Sequence, residues 1–183
     1  SLNVSNLVNL THLYCSYNAI SSLDLTGLIN LQILDYTYNQ LANLNLVNLP
    51  SLTDLHCGNN ALQTLNVLNL TNLKTLNCAN NQLTTLNLTG LTNLISLDFS
   101  YNNLTLANIG GLSPNLKTLI CVSNNLTSLD VSNLPNLETL NCYANELTNL
   151  DVSSLTNLKY LDFAQNQISS IDINNLTLLE TLN

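Results

Sequence analysis

Five cysteines, two histidines and a spaced set of aspartates are the side chains here that could do more than pack. Cys15, Cys57, Cys78, Cys121 and Cys142 invite disulfides. His12 lies near Cys15 and His56 adjoins Cys57, a pairing that raises zinc. Ser16 beside His12 raises a nucleophile, and His56 among Asp35, Asp54 and Asp98 raises a pH-sensitive contact or a weak cation site. None of these sets has the spacing its chemistry requires. No C-x-x-C pair exists. A nucleophile needs an orienting base in a dry pocket, and no glycine-rich phosphate loop is present. No catalytic residue, metal site or cofactor is therefore expected.

The elements that must position these residues follow from one asparagine: Asn18, Asn39, Asn60, Asn81, Asn102, Asn124, Asn145 and Asn166 recur every 21 residues, with one slip to 22. A fixed period of that size marks a solenoid whose coils bury each other's apolar faces. In the repeat opening at Leu73, apolar residues fall at positions 1, 4, 6, 11, 14, 16 and 19, and Asn81 stands at 9. Leu10, Leu31, Leu52, Leu94, Leu116, Leu137 and Leu158 open equivalent units. The 4–6 spacing is a period of two, which suits a short strand. The 14–16 spacing repeats it on a second edge. No amphipathic helix fits between, so each coil is expected to run strand, turn, then extended or 3₁₀ backbone. The expected unit is one domain over 1–183, about eight 21–22-residue repeats with partial repeats at both ends. The chain opens and closes inside a repeat with neither end reading as a cap, so a piece of a longer or processed chain is expected.

Charge narrows the partners. The net charge is −8, Arg is absent, and the cations are Lys74, Lys117 and Lys159. Nucleic acid and anionic membranes need clustered cations, so neither is expected as a partner. No apolar run of about 18 residues is present, so no membrane insertion is expected either.

Stacked coils put equivalent residues in columns about 4.8 Å apart. The position 9 asparagines read as a structural ladder, their amides serving backbone groups at the turn after the strand. Asn81→Leu should then strand such groups. Position 6 holds Cys15, Tyr36, Cys57, Cys78, Phe99, Cys121, Cys142 and Phe163, pointing inward. Cys57–Cys78 and Cys121–Cys142 would be neighbours at a Cα separation of about 5 Å, but parallel Cβ vectors oppose the disulfide dihedral. Free buried thiols acting as small core residues are expected. Positions 3 and 5 face outward, so each His and its Cys lie on opposite sides of the sheet.

The outward columns are where coils differ. They carry Tyr14, Tyr17, Tyr38, Tyr101, Tyr143 and Tyr160, together with Asp35, His56 and Asp98. Tyrosine offers rigid area with a polar tip and is favoured at interfaces. The competing reading is tyrosines that merely stiffen the sheet and carboxylates in solvated pairs. On the other edge, position 12 (Ser21, Ala42, Gln63, Thr84, Thr105, Thr127, Thr148, Ser169) and position 15 (Asp24, Asn45, Asn66, Asn87, Asn108, Asp130, Asp151, Asp172) read as turn chemistry. A regular Thr/Asn lattice could instead order water as an ice-binding face.

The pattern L-x-x-L-x-[L/C]-x-x-N-x-L resembles the leucine-rich repeat family from Leu2 to Leu182. Its 21-residue form with Cys at position 6 is similar to the cysteine-containing repeats of internalin J-like bacterial surface proteins, and related repeats occur in secreted proteins of Bacteroidetes. The resemblance implies a curved right-handed leucine-rich-repeat solenoid with a parallel β-sheet on the concave face. It also implies an extracellular or bacterial cell-surface module, binding or adhering to a protein or glycan through that face. A spacer of a surface protein is the alternative. One stretch departs from the pattern: Ala107 replaces Leu at position 14 and one residue is inserted around Ile109, Gly110, Gly111, Ser113 and Pro114, where a bulge or bend is expected.

Overall fold

The computed structural model describes residues 1–5, 7–107, 109 and 111–183. Asn108 and Gly110, named above, lie outside the described residues. The coils stack into a parallel solenoid. Strands β2 (His12–Tyr14), β4 (Ile33–Asp35), β5 (Asp54–His56), β6 (Thr75–Asn77), β7 (Ser96–Asp98), β8 (Thr118–Ile120), β9 (Thr139–Asn141), β10 (Tyr160–Asp162) and β11 (Thr181–Leu182) form one nine-stranded sheet in sequence order. Two further short strands, β1 (Leu2–Asn3) and β3 (Leu23–Asp24), pair on the second edge, where an Asn66–Asn87 bridge also forms.

Register follows the repeat. Leu34, Leu55, Leu76 and Leu97 pair in succession at position 4, and all four are buried. Fully burying each such side chain is worth roughly 1.5–3 kcal/mol, gained only because coils lie on both sides. The other apolar columns join them in one continuous core.

Turns build the convex side. In the first full coil Leu28 N–H donates to Leu25 C=O and Leu31 N–H to Leu28 C=O, and later coils repeat the pair. Position 18 sits at the bend. It takes positive φ at Gly27 (84°), Asn48 (65°), Asn69 (75°) and Gly90 (89°), the left-handed region that Gly and Asn enter at low cost. Asn133, Ser154 and Asn175 hold the same position at negative φ, so the turn type changes beyond the inserted residue.

The insertion leaves the sheet untouched. Ser96–Thr118, Leu97–Leu119 and Asp98–Ile120 stay paired across it. Ala107 and Ile109 remain buried while Leu106 is exposed. The extra residue is thus taken up away from the nine-stranded sheet, on the side where strand pairing is confined to β1–β3 and the Asn66–Asn87 bridge among the described residues.

Candidate ligand-binding face

The asparagine ladder fixes the edge of this face. Asn81 Nδ2 donates to Cys57 C=O in the preceding coil (3.1 Å) and to Cys78 and Ala79 C=O in its own (3.0 and 3.3 Å). Its Oδ1 accepts from Leu62 N–H at 3.0 Å. Asn39, Asn60, Asn102, Asn124, Asn145 and Asn166 repeat the pattern, each reaching back one coil. The Asn18 side chain makes the bonds within its own coil and none to a preceding one.

A second asparagine ladder escaped the sequence reading. At position 21, Asn30, Asn72, Asn93, Asn136 and Asn157 donate to position 20 carbonyls of the coil below, at 2.8–3.0 Å. Its signal was the Asn that recurs just before the opening Leu.

The five cysteines are free and buried. Burial pushes the Cys57 and Cys142 thiols up to about 12 and, with the nearby Asp35 carboxylate, Cys15 up to about 11. Cys78 and Cys121 are raised well above the ordinary thiol range by burial and by a neighbouring cysteine. His12 is exposed and His56 half-buried on the other side of the sheet. No cluster of three or more metal-ligating side chains occurs among the described residues.

The outward carboxylates are mostly spent inside their own turns. Asp35 Oδ1 accepts from Thr37 N–H and Oγ1 (3.0 and 2.7 Å), and Asp98 Oδ1 from Ser100 N–H (2.9 Å). Asn77, Asn141 and Asp162 do the same. These are Asx turns, local side-chain mimics of a backbone turn. Register sets His56 beside Asp35 and Asn77. The carboxylates expected to flank it form no ion pair with it: among the described residues the ion pairs are Lys117–Glu138 and Lys159–Glu138, both 2.8 Å, at position 2. Position 15 also forms Asx turns, as at Asp24, Asn87 and Asp151.

The tyrosines behave differently from one another. Position 8 has a left-handed backbone in every coil, so Tyr17 (φ 56°), Tyr38 (φ 54°) and Tyr101 (φ 54°) are bulky residues in a region they rarely enter. Asn59 and Asn80 occupy the same column. Tyr17 and Tyr38 stack with centroids 4.4 Å apart and planes at 13°. Tyr14 sits 6.2 Å from His12, its ring tilted by 32°. Tyr14, Tyr17, Tyr38 and Tyr101 are exposed, whereas Tyr143 and Tyr160 are half-buried.

Two cavities are formed largely by residues that do not stand out in the sequence, although Tyr38, Asp98 and Tyr101 border the first. A trough of about 380 Å³ lies between Tyr38 and Tyr101, lined also by Asn59, Asn77, Ala79, Asn80, Asp98 and Ser100. A larger hollow of about 660 Å³ occupies the convex side under Ile29, Val47 and Leu68. Both arise from columns of residues that are unremarkable one by one.

The leucine-rich-repeat model matches residues 9–31, 72–94 and 157–179, and the two-copy leucine-rich-repeats model matches 114–155. No curated protein sequence matches the chain. Among solved structures, the functional domain of internalin J from Listeria monocytogenes, which includes a cysteine ladder, is 35% identical with a TM-score of 0.75. The match covers 94% of this chain and 43% of that one. A leucine-rich-repeat protein of Leptospira interrogans is 29% identical (TM-score 0.91; 97% of this chain, 49% of that one). Internalin C2 of Listeria monocytogenes is 30% identical (TM-score 0.88; 96% of this chain, 81% of that one). The chain thus spans less than half the length of the first two. With the repeat matched along the chain and a 30% identical relative covered over 81% of its length, this chain belongs to the internalin-like leucine-rich-repeat family.

Proposed function

We propose that residues 1–183 work as one extracellular recognition domain of a bacterial surface or secreted protein, docking a protein or glycan ligand on the concave face. Internalin-type leucine-rich-repeat proteins are protein-interaction modules on a non-enzymatic scaffold, and they are secreted or surface proteins. No helix among the described residues is long and apolar enough to cross a membrane. The observation that carries the docking face is the Tyr17–Tyr38 stack, exposed and held on left-handed backbone. A strained residue kept in place is a pointer to function. Stacked tyrosines with a third, Tyr14, at the same end form an aromatic anchor of the kind that dominates binding energy.

The test uses fluorescently labelled protein on intact epithelial and bacterial cells, read by flow cytometry. Changing Tyr14, Tyr17 and Tyr38 together to Ser should abolish binding while the protein still melts cooperatively. Undiminished binding by the folded triple variant would refute the docking face. If the parent binds no surface at all, the spacer reading gains, and it has its own support in position 5 carboxylates already committed to internal turns.

A further inference from the structure

The trough between Tyr38 and Tyr101 has a built character that the rest of the concave face lacks. Its floor is low because successive coils carry small buried residues at position 7: Ala79 and Ser100 line it, and Gly58 precedes them in the column. The same column rises to Val122 and Tyr143 further along. At Gly58 even a Cβ would sit 2.9 Å from Asn77 Oδ1 and 3.0 Å from Ala79 C=O. A side chain is therefore excluded at Gly58 itself. The end walls are the two phenol rings, three coils apart, which is about 14 Å at the strand spacing.

Three side-chain amides, a carboxylate and hydroxyls supply the polar groups of the trough. The side-chain amides of Asn59 and Asn80 line it, and neither makes a hydrogen bond to another described residue. Each offers two donors and an acceptor. The ladder asparagines, by contrast, are committed to backbone. Asp98 adds an acceptor: its Oδ1 is held by Ser100 N–H, and its Oδ2 has only Asn77 Nδ2 at 3.4 Å. No cation lines the trough. The three lysines stand together in the position 2 column instead.

We propose that this trough binds a neutral oligosaccharide of about three sugar units, an inference that rests on the concave-face reading and names its ligand class. Planar amides and a carboxylate match paired sugar hydroxyls, which donate and accept in the same plane. Phenol faces pack against the C–H face of a pyranose, whose length is close to the strand spacing, so each coil meets one ring. A net charge of −8 and Asp98 in the wall disfavour sialylated, uronate or phosphate-bearing chains. A protein ligand would want a broad apolar centre, whereas here Ala79, Ile120 and Val122 are interleaved with three side-chain amides and a carboxylate.

An array of neutral and acidic glycans, followed by calorimetric titration with maltotriose, cellotriose and chitotriose, tests this. The expected result is binding of neutral glycans and rejection of acidic ones. Tyr38→Ala or Tyr101→Ala should weaken the neutral trisaccharide by about tenfold, the scale of one aromatic contact. Ala79→Tyr should fill the trough and abolish binding, in a column that already accepts Tyr143 and so keeps the fold. Preference for acidic glycans, binding that survives Ala79→Tyr, or no trisaccharide binding at millimolar concentration would each overturn the inference. If cell binding still depends on Tyr14, Tyr17 and Tyr38 while no glycan binds, the inference falls and the docking face stands with a protein ligand. If trisaccharides fill the trough but cell binding ignores those three tyrosines, the docking face falls and the trough stands.

Discussion

Replacing Asn81 by Leu tests the asparagine ladder at one of its buried members, 9% exposed. Three carbonyls lose a donor, but none is orphaned. Cys57 C=O keeps Asn60 Nδ2, Cys78 C=O keeps Asn102 Nδ2, and Ala79 C=O keeps Asn59 N–H. The donor side has no such redundancy: Leu62 N–H has Asn81 Oδ1 as its partner. One buried, orphaned N–H costs roughly 1–3 kcal/mol. We therefore expect a loss of about 2 kcal/mol, which lowers the urea midpoint by about 1 M at an m-value of about 2 kcal/mol/M, or Tm by about 4–8 °C. Asn18→Leu is the internal control, because the Asn18 side chain bonds Cys15 and Ser16 C=O of its own coil and supports no coil beneath it. Its cost should stay within about 0.5 kcal/mol. Circular dichroism during urea and thermal unfolding reads both. An Asn81→Leu protein that unfolds like the parent, or an Asn18→Leu protein that loses as much, would refute the argument from inter-coil donors.

Iodoacetamide at pH 8 should leave all five cysteines unlabelled in the folded protein and label all five after unfolding without reductant, because burial keeps the thiols protonated and out of reach; fewer than five adducts after unfolding would mean disulfides. Lys117 and Lys159 hold the Glu138 carboxyl at about 2, below its ordinary 4.5. A depressed folded value means the contact stabilises fully above about pH 4.5 and is lost as pH falls towards 2. Glu138→Gln should therefore remove a shallow acid step from Tm against pH at low salt, and an unchanged profile would count against the pairing. Tyr101→Asn should stabilise by roughly 1 kcal/mol in urea unfolding, since Asn enters the left-handed region more readily. Tyr38→Asn should gain less, because it also gives up a stack with Tyr17 worth roughly 0.5–1.5 kcal/mol; a destabilised Tyr101→Asn would show that no strain is stored there.

The period of Asn and Leu was enough to read the fold because a solenoid repeats one local solution. Once position 9 is an inter-coil amide and position 6 points inward, the sheet, the buried thiols and the separation of His from Cys all follow. The candidate face was legible only by column. Tyr17, Tyr38 and Tyr101 could be placed outward, but not on left-handed backbone, since Ser123, Ala144 and Gln165 share that column and carry no hint of positive φ. Asp35 and Asp98 suggest a pH-sensitive contact or a weak cation site only while their turns are untraced, although D-x-T and D-x-S are short-range signals for an Asx turn. The trough was missed because it is made by what position 7 lacks. Gly58, Ala79 and Ser100 are ordinary residues singly, and only their succession opens a space.

A repeat protein keeps most of each coil for its own cohesion, so a ligand can be served only by columns that cohesion leaves free. Positions 4, 6 and 9 are closed to it: they hold the core and the inter-coil bonds. Position 5 is largely closed too, its carboxylates and amides being turned back on position 7 N–H groups. Positions 7 and 8 remain. There the chain departs from what the backbone alone would select, placing tyrosine where asparagine is easier and leaving two asparagine amides without a bond to any described residue. Departures of this kind from local consistency mark functional sites. They converge on one stretch of the concave face, from Tyr17 to Tyr101, and the unstacked Tyr101 is where conformational cost and ligand contact separate most cleanly.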